Sequence, residues 1–179
     1  MGFSRFGGAC IAALLVFSAP VAAQVILPDA GAYLAARAAG KASDFEFSAR
    51  YYAQALVADQ KNPAIMENAL TAQISLGRYP AAISLANEMQ EAGISRQIPN
   101  IFIAAEAAAV GNWDRIFQQL ESGNNIGPVV DGLAQGWAHL ALGEDDLAWA
   151  SFDRVTETSG LRSFGIYHKA LALASCSHQ

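Results

Sequence analysis

Ser43-Asp44-Phe45, Gly77-Arg78-Tyr79, Gly111-Asn112-Trp113 and Gly143-Glu144-Asp145 are four short turns set on one beat. Their first residues lie 34, 34 and 32 positions apart (43 to 77, 77 to 111, 111 to 143). A run of alanines and larger apolar residues precedes each turn, and another follows it. A small residue and then a polar one between two such runs ends one helix and starts the next. Glycine takes the left-handed conformation at a helix end, and Asp, Asn or Glu serves the new N-terminus. Four turns at one period predict four copies of a helix–turn–helix unit.

The flanking segments complete the units. Residues 30–42 read as a first helix capped by Asp29, and residues 45–58 as its antiparallel partner. In the second of these, Phe45, Ala49, Tyr52 and Leu56 recur at steps of three and four and so share one stripe. Asn62-Pro63 opens a helix that runs to Leu76, with proline at a position where its missing N–H costs nothing. Pro80 repeats the device for a helix ending before Gly93. Residues 101–110 and 113–120 form the third pair, and residues 129–142 and 146–158 the fourth. Between them, residues 122–128 read as the loosest loop, where the stacking should be least regular. Residues 161–175 begin a fifth pair, with the next turn due at Ser175, 32 positions after Gly143.

The small-residue slots carry a resemblance. The units offer Ala32, Ala35-Ala36 and Ala39 with Ser48, Tyr52 and Ala55, then Met66, Ala69-Leu70 and Gln73 with Ala82, Ala86 and Met89. The next two offer Asn100, Ile103-Ala104 and Ala107 with Ile116, Leu120 and Gly123, then Gly132, Gln135-Gly136 and His139 with Ala148, Phe152 and Val155. At a period near 34 residues this resembles a degenerate tetratricopeptide repeat. The resemblance implies an all-α solenoid of antiparallel helix pairs in a right-handed superhelix, over residues 29–175. It also implies a concave groove, lined by the first helix of each pair, that binds a protein or peptide.

Residues 1–23 precede that fold. Arg5 is a positive n-region, residues 9–17 an apolar core, and Val21-Ala22-Ala23 a cleavage site before Gln24, together the pattern of a secretory signal peptide. The apolar core is too short for the roughly 20 residues of a membrane span. Export to a periplasm or the exterior follows, with residues 24–28 as an extended lead. A lipid-attachment reading of Cys10 fails because the apolar stretch follows that cysteine instead of preceding it. Cys176 is then the one cysteine of the processed chain, so packing must hold the fold. Residues 176–179 read as a disordered tail.

Across 179 residues the charged share is 15% and the formal net charge −5, which argues against nucleic-acid and anionic-lipid binding. His139, His168 and His178 show no zinc spacing, and no cofactor or metal motif appears. Glu144-Asp145-Asp146 suits a helix N-terminus better than a cation. Ser151, Ser163 and Ser175 have no paired base, and the glycines at 123–127 lack a phosphate-loop lysine, so no catalytic constellation is present.

Candidate groove positions follow the repeat. One row is Tyr33, Glu67, Ile101 and Leu133, and its neighbour is Arg37, Thr71, Ala105 and Trp137. Arg37, Lys41 and Asn68 offer part of a carboxylate clamp, whereas Ile98, Ile101 and Phe102 are apolar where further donors would be needed. Trp137 and Phe102 read either as anchors for a partner or as packing between repeats. At the end, Leu161, Phe164, Tyr167, Leu171 and Leu173 form a stripe with no following helix to cover it. A truncated longer array and self-association through this last helix are the two readings of that stripe. The expected function is a non-catalytic interaction scaffold of the cell envelope. The alternative is the helical appendage of an envelope peptidase or cell-wall hydrolase.

Overall fold

A computed structural model describes residues 29–176. The expected leader at 1–23, the expected lead at 24–28 and residues 177–179 lie outside that range. The described residues form nine helices and no strand. They are α1 (Ala30–Lys41), α2 (Phe45–Ala58), α3 (Pro63–Ser75), α4 (Tyr79–Glu91), α5 (Gln97–Ala109), α6 (Trp113–Glu121), α7 (Pro128–Ala141), α8 (Asp145–Glu157) and α9 (Arg162–Cys176).

Each helix stop is a local device repeated. The Asp44 N–H reaches the Ala39 carbonyl at 2.9 Å, and the Ser43 N–H reaches that of Gly40 at 3.1 Å. The same pair of bonds recurs at Gly77, Gly93, Gly111, Gly123 and Gly143, each with positive φ, and satisfies carbonyls that the helix end leaves bare. Ser43 is the non-glycine member, at φ 60°. At the starts, Asp29, Asp44, Asn62 and Asn112 accept backbone N–H groups through their side chains. The Ala32 amide and then the Gln54 side chain hold the Asp29 carboxyl below its ordinary value.

Three helix starts or ends and one loop differ from the sequence expectation. Helix α5 begins at Gln97 rather than Ile101, because Pro99 fits the first turn without needing its N–H. Glu144 does not cap α8 with its side chain. Its carboxylate meets His139 Nδ1 at 2.6 Å, while Asp145 and Asp146 put negative charge in the first turn. No turn occurs at Ser175, and both Ser175 and Cys176 are helical. The fourth concerns residues 122–128, which are fastened rather than loose. Buried Asn100 donates to the Asn125 carbonyl at 2.9 Å, and buried Gln119 donates to the carbonyls of Asn100 and Asn124. Asp131 accepts the N–H groups of Ile126 and Gly127.

Successive helices pack on one another, and the first helices of neighbouring pairs also touch, α3 with α5 and α7 with α9. The apolar core is divided accordingly. One cluster joins Ala32 and Ala36 of α1, Tyr52 and Ala55 of α2, and Ile65 and Ala69 of α3. The next takes Met66 and Leu70 from the other side of α3, with Ala82, Ala86 and Met89 of α4 and Ile103 of α5. Two further clusters span α5 to α7 and α7 to α9. Each cluster needs the opening helix of the following pair, so no pair buries its stripe alone. The architecture is an all-α, solenoid-like stack of helical pairs.

Small residues set the closeness of the stack. Gly136 faces the ring of Phe152, and Gly132 faces Val155. Gly165 lies against the backbone of α8 at Phe152 and Thr156. A side chain at any of these places would occupy space that α8 already fills.

Candidate functional site

The first half of the predicted groove assembles into one cleft. Arg37 and Lys41 of α1 and Asn68 and Thr71 of α3 line a cavity of about 330 Å³ closed behind by Phe45, Ser48 and Tyr52 of α2. Two cations stand in that wall and no carboxylate does, although the chain as a whole is acidic. The Arg37 guanidinium lies over the Tyr33 ring, 5.7 Å from its centroid. That contact holds the side chain in a preferred direction without neutralising it. Burial pushes the Tyr52 phenol up from its ordinary pKa, Tyr33 adds to this, and Arg37 opposes it.

The amide and hydroxyl of the cleft are partly engaged. Asn68 Nδ2 donates to the Ala64 carbonyl at 2.6 Å, and Thr71 Oγ1 to that of Glu67 at 2.9 Å. Asn68 keeps its carbonyl oxygen and a second N–H for a ligand. Tyr33 turns toward an adjacent cavity of about 340 Å³, shared with Asp29, Asn62 and Ile65. Glu67 leaves the cleft for Arg96 at the start of α5, 3.7 Å away.

The second half is largely consumed by packing. Phe102 is half-buried against the second cluster and stacks on Tyr79 with ring centroids 6.3 Å apart. Leu133 and Trp137 belong to the last cluster. Trp137 meets Phe152 edge-on at 5.8 Å, and its Nε1–H donates to His168 Nδ1 at 2.9 Å. That bond ties α7 to α9 and uses the polar handle a docking tryptophan would offer. Ile101 stays exposed.

Sequence reasoning stopped both rows one unit early. Tyr167 lies 34 positions after Leu133, and Leu171 lies 34 after Trp137, and both are exposed on α9. A step of 34 reaches them, whereas the 32-residue step taken into the fourth unit would reach Gly165 and Lys169 instead. The amide pair Asn100 and Gln119 was also missed. Its signal was Asn100 at the slot where the other units hold Ala32, Met66 and Gly132.

His139 sits 4.6 Å from the Phe117 ring and pairs with Glu144, while His168 pairs with Trp137. No cluster of three or more metal-type ligands occurs among the described residues. No described helix is long and apolar enough to cross a membrane. Compared with protein-family models and with curated proteins, the chain matches none.

Proposed function

We propose that this chain is a non-catalytic interaction scaffold that holds an extended segment of a partner protein against its row of first helices. The observation that carries the reading is the α1–α3 cleft, where Arg37 and Lys41 stand beside Asn68 and Thr71 without a neutralising acid. Such a set suits an acidic side chain or a chain-terminal carboxylate, which gains both charge and hydrogen bonds there. Repeats of the tetratricopeptide kind, which the sequence resembles, present a surface of the same sort. The leader-like residues 1–23 make the cell envelope the compartment in which this partner is sought.

The test is fluorescence anisotropy with a set of twelve-residue peptides that vary in acidic content and in a free or amidated C-terminus. Acidic or free-carboxylate peptides should bind the wild type, and Arg37→Glu with Lys41→Glu should weaken that binding at least ten-fold. Both sites are exposed, so the variant should keep its helical circular dichroism. Equal binding of all peptides by both proteins would overturn the proposal.

A further inference from the structure

Trp137 of α7 and His168 of α9 share a hydrogen bond that fixes a protonation state. An indole N–H can only donate. With Trp137 Nε1 at 2.9 Å from His168 Nδ1, that ring nitrogen must carry the lone pair, and the ring proton must sit on Nε2. The imidazolium carries a proton on both nitrogens. Once His168 charges, its Nδ1–H faces another N–H, and a half-turn of the ring brings only a C–H edge to the indole. Either way the bond is lost.

The groups around His168 do not offset that loss. None of the ion pairs among the described residues includes it. On α9, Tyr167 stands perpendicular to it with ring centroids 5.5 Å apart, and Lys169 follows as a second cation. On α8, Asp153 is already held by Lys169 Nζ at 2.6 and 2.8 Å, and Arg154 donates to Gln135 and Ser151. On α7, Trp137 is accompanied by Leu133 and Leu140 in the last apolar cluster. His139 responds in the opposite sense. Its Nδ1 lies 2.6 Å from the Glu144 carboxylate, a contact that protonation strengthens. Acid therefore tightens the exit of α7 and breaks its tie to α9.

We infer that His168 is an acid-sensitive latch. Neutral, it ties α9 to α7 and occupies the indole N–H of Trp137; protonated, it releases both. The bond needs the neutral ring, so its contribution is full at the alkaline end. It is lost as pH falls through the range in which histidine charges, about pH 8 to 5. Helix α9 stays on α8, because Gly165 abuts the α8 backbone, Ala172 sits in the last cluster and the Lys169–Asp153 pair persists. What changes is the spacing of two neighbouring first helices, where Trp137 then offers a free donor. This inference is independent of the cleft at the other end of the stack.

Nuclear magnetic resonance of the isotope-labelled chain tests it, from about pH 8 to about pH 5.5. At the upper end His168 should be the Nε2–H tautomer. On acidification the indole N–H signal of Trp137, assigned with Trp137→Phe, should move together with the His168 ring signals. Those of Trp113 and Trp149 should not follow them. In His168→Asn the side-chain oxygen takes the place of Nδ1 and cannot titrate, so the Trp137 signal should stay where it is. In urea, acidification should lower the folded-to-unfolded ratio about three- to ten-fold more in the wild type than in His168→Asn, the worth of one neutral hydrogen bond. An Nδ1–H tautomer at the upper end, a Trp137 signal indifferent to the His168 titration, or an equal acid response in His168→Asn would each overturn the inference. The first two are read on the wild type, so they decide the matter even where the variant folds poorly.

Discussion

Replacing Gly136 by alanine sets two known effects against each other. In an exposed helix the change stabilises by about 1 kcal/mol, because alanine restricts the unfolded chain and favours the helix. At this position the added methyl would stand 2.7 Å from Phe152 Cδ1 and Cζ, and closer still to Cε1. Phe152 is fully buried, and Trp137 and Trp149 hold it from two other sides. The ring cannot rotate away, so α7 and α8 must separate by several tenths of an ångström. Overpacking of this kind costs about 1–3 kcal/mol, and this confined ring puts the cost at the upper end. The net loss should be about 1–2 kcal/mol, or a Tm lower by about 2–8 °C for a chain of this size. Thermal and urea unfolding followed by circular dichroism give the value. Phe152→Leu in the same chain should recover part of the loss, as a double-mutant cycle. Gly40→Ala is the comparison, since its new methyl meets Ser48 alone, 3.2 Å from the hydroxyl and 4.0 Å from Cβ. If Gly136→Ala stabilises the protein as much as Gly40→Ala does, the close contact of α7 and α8 is wrong.

Two further substitutions probe other parts of the stack. Ser43 holds the left-handed conformation that glycine holds at the equivalent turns, and that conformation costs an L-residue roughly 1–2 kcal/mol. Ser43→Gly should therefore stabilise by about 0.5–1 kcal/mol once glycine's greater unfolded-state freedom is subtracted. A lower Tm would contradict the cap. Asn100→Ala removes donors to the Ser95 hydroxyl and the Asn125 carbonyl in a buried setting, at a cost of about 2–3 kcal/mol. Amide exchange at residues 123–127 should accelerate. Unchanged exchange there would mean that the amide pair does not hold the loop.

Much of the stack is legible before any coordinates, because a helix end is a short-range event. The bonds that close α1, α3 and α5 join residues five or fewer apart, so Ser43, Gly77 and Gly111 announce them within a few letters. The same holds for the caps at Asp44 and Asn112. The 34-residue beat then implies stacking, since one pair cannot cover its own stripe.

What the tertiary structure alone decided is which side chains remain free to meet something else. Trp137 and Arg37 occupy the same row of the repeat. Yet Trp137 is bound to His168, 31 residues later, whereas Arg37 stands in an open cleft. The repeat pattern treats the two alike because it records spacing along the chain, not the arrival of a distant helix. The last turn of α9 shows the same division. Local spacing placed a turn at Ser175, but Gly165 and Ala172 seat the helix on α8, and Ser175 and Cys176 are still helical. Helix ends depend on neighbours in sequence, and accessibility depends on neighbours in space.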